Sequence, residues 1–170
     1  MFLNYIKEFF VKKSLKNNLR IVKNEVFTSN IQTIGLLIDE SEFSHSKELA
    51  KELILQGIAP ENIKIVAYRD KFEKKKEYSG LTFGKKHINW RAEPTEEFLT
   101  EFIEKEFDLL ISYYEIEKPI LMLITAKSKA KFKVGFSSVD KRLNRWMIAA
   151  EMGNYKLFVS ELFKYLKSIK

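Results

Sequence analysis

Acid, hydroxyl and imidazole side chains gather where the apolar runs of this chain stop. The run Thr33–Asp39 ends in Asp39, Glu40 and Ser41, with Ser44 and His45 just beyond. Ile63–Tyr68 ends at Arg69 and Asp70, Phe107–Ser112 at Ser112, Tyr113 and Tyr114, and Phe132–Phe136 at Ser137 and Ser138. If the runs are strands of an open α/β sheet, ligands belong beyond their carboxyl ends. That rule makes Asp39, Glu40, Ser44, His45, Asp70, Ser112, Tyr113 and Ser137 the candidate ligand-binding residues. Asp39 with Asp70 would suit a divalent cation or a ribose, and His45 an acid or base role. The same residue types also cap helices and shape turns. No catalytic residue is assigned, and neither a metal site nor a cofactor is expected.

A second set carries charge. Lys127, Lys129, Lys131 and Lys133 alternate with Ser128, Ala130, Phe132 and Val134, and Arg142, Arg145 and Trp146 follow. Fully extended, the four lysines would share one face and mark a strand near a sheet edge. Basic residues interleaved with aromatics can track a phosphate backbone, so this set is the candidate for an anionic partner. Lys outnumbers Arg 25 to 5, however, and no recognition-helix or RNA-motif pattern occurs, so specific nucleic-acid binding is not expected.

Much familiar chemistry is missing. With no cysteine, thiolate metal sites, disulfides and cysteine nucleophiles are excluded. The six glycines never fall into a phosphate-cradling pattern, and no G-x-S-x-G elbow occurs. The two histidines, His45 and His87, lack a metal-ligand neighbour one helical turn away.

The surrounding elements follow from periodicity. Residues 2–22 read as a basic amphipathic helix with one weak point at Asn17-Asn18, Phe2, Leu3, Ile6, Phe9 and Phe10 on one stripe and Leu15, Leu19 and Val22 on another. A strand at 33–39, a helix over 44–56 and a strand at 63–68 make a strand–helix–strand unit, with Gly57 and Pro60 as stop signals. Residues 69–86 are irregular and charged; 87–90 read as a short strand, and Pro94 as the start of a helix whose core face is Phe98, Leu99, Phe102 and Ile103. Strands at 107–112 and 132–136 flank a helix from Pro119 to Ala126. A weaker strand covers 146–149, and a last helix carries Tyr155, Phe158, Val159, Leu162, Phe163, Leu166 and Ile169.

The net charge of +7 is segregated: residues 1–24 hold six basic groups against one acidic, 25–124 hold 13 against 19, and 125–170 hold 11 against three. Basic ends flanking an acidic middle suit either a self-neutralising fold or an anionic surface such as a membrane met by residues 2–22. No run approaches the roughly 20 apolar residues of a span, and no signal-peptide core is present, so a cytoplasmic protein is expected.

The expected fold is a three-layer α/β domain, flavodoxin-like or Rossmann-like, with about five mainly parallel strands. Residues 1–24 form a basic helical arm and 25–170 the single domain. The segments Ile34–Glu40, Ile88–Trp90, Phe107–Ile111 and Ser128–Gly135 resemble an uncharacterised Bacteroidetes family of about this length, which implies this fold and no assigned activity. Phe107–Ile111 and Lys129–Gly135 are more loosely similar to the N-terminal half of heptosyltransferase-like glycosyltransferases, whose second, nucleotide-sugar domain has no counterpart here. The expected role is a non-enzymatic binding or interaction module, with a protein partner or a second copy as occupant. The alternatives are an enzyme or ligand-binder using the strand-end loops, and a peripheral membrane protein held by the N-terminal helix.

Overall fold

The computed structural model describes residues 2–18 and 30–169. Six strands, β1 (Ile34–Asp39), β2 (Ile63–Tyr68), β3 (Leu81–Phe83), β4 (Leu109–Tyr113), β5 (Phe132–Phe136) and β6 (Trp146–Ile148), form one sheet. Every pairing is parallel and the order is β3-β2-β1-β4-β5-β6. β1 and β4 are buried along their whole length, because helices cover both faces of a central parallel strand. That is why their sequences are apolar runs rather than alternations.

Five helices cover the sheet: α1 (Phe2–Asn18), α2 (Ser46–Leu55), α3 (Glu97–Glu104), α4 (Pro119–Lys127) and α5 (Tyr155–Ser168). The right-handed rule for parallel crossovers puts α2 on one face and α3 and α4 on the other, because the chain steps across the sheet in opposite directions in its two halves. α5 packs beside α2, and α1 packs on α4. α4 is apolar all round, with every residue from Ile120 to Thr125 buried. A helix of that kind needs cover on its outer side as well as its inner one. Val11 and Leu15 of α1, both buried, supply it. The N-terminal helix is therefore a packing layer. Leu19 and Val22 of the expected second stripe, and the side chains of Phe2, Leu3 and Ile6, lie outside the described residues.

Three local expectations change. The strand in the charged segment is β3, not 87–90, where Lys85–His87 is a short 3-10 turn and Ile88 makes one isolated bridge to Pro94. With Pro94 held in that bridge, α3 starts at Glu97. β5 lies near the edge as expected, one strand in from it, but the lysine alternation does not form a strand face. Lys127 ends α4, Lys129 and Lys131 lie between elements, and only Lys133 is in β5.

Asp108, just before β4, ties that strand to the lead-in of β1. Its Oδ2 accepts from the backbone N–H groups of Gln32 (3.1 Å) and Thr33 (3.0 Å) and from the Thr33 hydroxyl (3.1 Å). Burial raises its carboxyl pKa, but the Lys131 ammonium and these donors outweigh it and bring it to about 2. A depressed carboxylate stabilises the fold above its ordinary pKa and loses that contribution as pH falls through the folded value. Asp108→Ala should cost about 2 kcal/mol in urea unfolding at pH 7. The difference from wild type should shrink as pH falls from about 4 toward 2. An equal gap at both ends of that range would mean that the carboxylate charge is not what holds the two strands.

Candidate functional site

In this strand order, chain direction across the sheet reverses between β1 and β4. A crevice opens there beyond the carboxyl ends. Asp39 is the last residue of β1 and is 0% exposed. The turn after it folds back on it: Glu42 and Phe43 donate their N–H groups to the Asp39 carbonyl, and Ser41 N–H donates to Oδ1 at 3.1 Å. Asp70 follows β2, and its N–H donates to the Ser41 hydroxyl at 2.8 Å. The structure thus brings Asp39 and Asp70 together, as the strand-end rule requires.

What lies between them is an ammonium group. Lys118 Nζ is 2.7 Å from a carboxylate oxygen of Asp39, 2.7 Å from one of Asp70 and 3.8 Å from Glu42. The contact with Asp70 is a hydrogen bond; at Asp39 it is an ion pair off the hydrogen-bond direction. Tyr68 donates its hydroxyl to Asp70 at 3.0 Å. Beside this cluster, Arg69 Nη2 donates to Glu40 at 2.8 Å and Ser46 donates its hydroxyl to the same carboxylate at 2.8 Å.

The electrostatics follow the geometry. Burial pushes the Asp39 carboxyl up from its ordinary value, against the pull of Lys118. Burial also opposes ionisation of Asp70, but hydrogen bonds from Lys118 and Tyr68 win and hold it below the usual range. For Lys118, burial is outweighed by its close contacts with the carboxylates of Asp39 and Asp70, and its pKa rises. Asp70 and Lys118 are therefore each driven further into their charged form, away from the neutral range in which an acid or base must exchange protons. Among the described residues no group of acids and histidines is placed to hold a metal ion.

The other predicted residues scatter. Ser44 and His45 are exposed at the start of α2, with His45 3.9 Å from Glu48 and packed edge-on to Phe43. Ser112 is buried and shares a hydrogen bond with Thr125 at 3.1 Å. Tyr113 is buried among Phe43, Phe136 and Phe158 and donates its hydroxyl to the Met152 carbonyl. Ser137 is exposed and donates its N–H to Ile148. The basic set is employed internally. Lys127 donates to the Ala92 carbonyl, Lys129 pairs with Glu104 and Lys131 with Asp108. Lys133 caps the end of α4 at the Thr125 and Ala126 carbonyls, 2.7 and 3.3 Å away. Arg142 grips Asp140, and Arg145 donates its N–H to the Lys133 carbonyl.

Sequence reasoning missed Lys118 and Glu42 as members of the site, and placed Arg69 at the end of β2 without counting it among the candidates. The signal for Lys118 was faint: a lysine just before Pro119 at a helix start. Lys118 lies past Tyr113 at the end of the loop that leads into α4, and it is the path of that loop that returns it to the acids.

Above the cluster, α1 closes a cavity of about 210 Å³. Lys7 and Val11 of α1 form its roof, Tyr68, Asp70 and Lys118 its floor, and Glu117 part of its wall. Glu117 is exposed to it and makes no hydrogen bond or ion pair with a described residue. Lys7 donates to the Lys85 carbonyl, and Lys85 lies 3.7 Å from Glu8, which fastens the roof to the end of β3. No curated protein and no solved structure matches the chain. Residues 7–169, which run from the roof of this cavity through the whole sheet to α5, match a family of unknown function, and the chain belongs to that family, DUF6913.

Proposed function

We propose that the protein is a non-enzymatic binding module whose ligand is a small, non-phosphorylated polar molecule seated beneath α1. The observation that carries this reading is the 210 Å³ cavity beside the switch point, lined by Glu117, which makes no hydrogen bond or ion pair with a described residue. Its volume is below the roughly 300 Å³ where ordinary ligand pockets begin, which suits a ligand smaller than a nucleotide. The strand order is that of the dinucleotide-binding Rossmann sheet. Where such sheets carry a glycine-rich phosphate turn, however, this chain carries Asp39, Glu40 and Glu42. In place of a glycine cradle the turn therefore offers a pyrophosphate acidic side chains, two of them, Asp39 and Glu40, already paired with Lys118 and Arg69. The mutual neutralisation of Lys118 and Asp70 supports binding over turnover, because neither titrates near neutrality.

Thermal shift with a panel of sugars, polyols, amino acids, nucleosides and nucleotides tests the proposal. A ligand at a hundred times its Kd adds about 2.7 kcal/mol, or roughly 5–10 °C in Tm for a chain of this size. A non-phosphorylated compound should give that shift, and Glu117→Gln should abolish it without altering the Tm of the free protein. A response to nucleotides alone, or to nothing in the panel, would refute it.

A further inference from the structure

α1 presents two faces of opposite character. Val11 and Leu15 are turned onto α4 and buried. On the other side, Tyr5, Phe9, Lys12, Lys13 and Lys16 recur at four-, three-, one- and three-residue steps, which places them on one stripe of the helix. All five are exposed, Tyr5 at 71% and Phe9 at 63%. Glu8, the sole acid in α1, is drawn off to Lys85, so the stripe carries positive charge only.

The loop after β3 extends this surface. Trp90 is 56% exposed and meets Phe10 edge-on at 5.9 Å, and Phe10 meets Phe9 at 5.7 Å. Arg91 lies 4.8 Å over the Trp90 ring. The exposed Phe9 and Trp90, joined through the half-buried Phe10, thus make one contiguous aromatic ridge from two distant parts of the chain, with Lys12, Lys13, Lys16 and Arg91 beside it. Scattered exposed apolar residues need no explanation, but a contiguous aromatic ridge with a cationic border does.

We infer that this ridge is a docking surface for an anionic lipid bilayer, with Tyr5, Phe9 and Trp90 entering the headgroup layer and the lysines meeting acidic lipid. Aromatic residues favour that layer, and lysine stems extend along it to keep their ammonium groups at the phosphates. Among the described residues no helix is long and apolar enough to cross a membrane, so the contact is peripheral. The choice of a bilayer over a nucleic acid rests on ring geometry. Phe9, Phe10 and Trp90 meet edge to face, at 79° and 75°, and so build no parallel platform for bases.

The test is co-sedimentation of the full chain with phosphatidylcholine vesicles and with vesicles carrying about 30% phosphatidylserine. Partitioning to the anionic vesicles should be at least about tenfold stronger and should weaken as salt rises. Each lysine lost should cost about fivefold, so Lys12→Gln, Lys13→Gln and Lys16→Gln together should remove most of the binding. Phe9→Ala with Trp90→Ala should weaken it at high salt, where aromatic insertion carries the contact. All five side chains are exposed, so the variants should melt with the wild type; a circular-dichroism melt checks this. No preference for anionic vesicles, or binding unchanged in both variants, would overturn the inference. So would capture by polyglutamate without capture by vesicles, which would assign the ridge to an acidic protein.

Discussion

Lys118→Met should be among the most damaging single substitutions in this protein. Asp39 is wholly buried, and its main compensation is the ammonium group 2.7 Å away. Removing one partner of a buried pair leaves an uncompensated charge and costs about 3–5 kcal/mol. For a chain of this size that is a fall in Tm on the order of 10 °C. Asp39→Asn in the same background should recover at least half of the loss, because the stranded charge goes with its partner. The pH dependence has a definite sign. A carboxyl raised by burial, as Asp39 is, favours the fold below its ordinary value of 3.8 and loses that advantage as pH rises through its folded value. Without Lys118 the Asp39 carboxyl should rise further, so the gap between variant and wild type should narrow on acidification. Lys118 has the complementary behaviour: its contribution holds below its ordinary 10.5 and fades above it. Urea unfolding at about pH 4, 7 and 11 reads both limbs. A Lys118→Met protein as stable as wild type at pH 7 would show that solvent already screens the cluster.

Gly35→Val should cost nearly as much for an unrelated reason. Gly35 is the second residue of β1, paired with Lys64 on one side and Leu110 on the other. A Cβ there would sit 2.7 Å from Cδ2 and 2.8 Å from Cε2 of Phe107. Phe107 is fully buried and packed at 5.2 Å against Phe102, so the ring has nowhere to go. Overpacking of this kind costs about 3 kcal/mol, equivalent to roughly 6–12 °C in Tm. Phe107→Leu should partly rescue Gly35→Val by vacating the space. Gly153→Ala, where nothing lies within 4 Å of a new Cβ, serves as the control and should melt with the wild type. If Gly35→Val and Gly153→Ala melt alike, the close approach of β1 to Phe107 is not a constraint.

These two sites show why legibility differed along the chain. β1, β2 and β4 could be read because a strand covered on both faces must be apolar at nearly every position. That pattern does not distinguish Gly35 from its apolar neighbours, because the ring of Phe107 that fills its space comes from a distant part of the chain. β3 was missed because three residues between charged segments carry too short a pattern; its pairing with β2 makes it a strand. The lysines from 127 to 133 looked like one face because alternation is ambiguous until the local backbone is known. In the fold they belong to the end of a helix, a connecting segment and a strand, each with its own partner.

The candidate site divides the same way. Placing Asp39 and Asp70 near each other needed only the rule that parallel strands deliver their carboxyl ends to one side. It did not reveal Lys118, which reaches the pair through a loop after β4, because a loop's path depends on what it packs against. The N-terminal helix was legible as amphipathic, but not which stripe would dock. Val11 and Leu15 are buried while Phe9 stays exposed because α4 is apolar all round and takes the side of α1 that best fits it.

By itself, then, the sequence determined the class of fold, the positions of the buried strands and helices, and the absence of phosphate-loop and cysteine chemistry. Those properties follow from residue type and local periodicity, which act over a few residues. That a lysine ammonium occupies the space between the two acids, that α1 roofs the cavity above them, and that Trp90 joins the exposed face of α1 came from tertiary packing alone. Such juxtapositions depend on strand order and crossover direction, and these are set by the packing of the whole sheet.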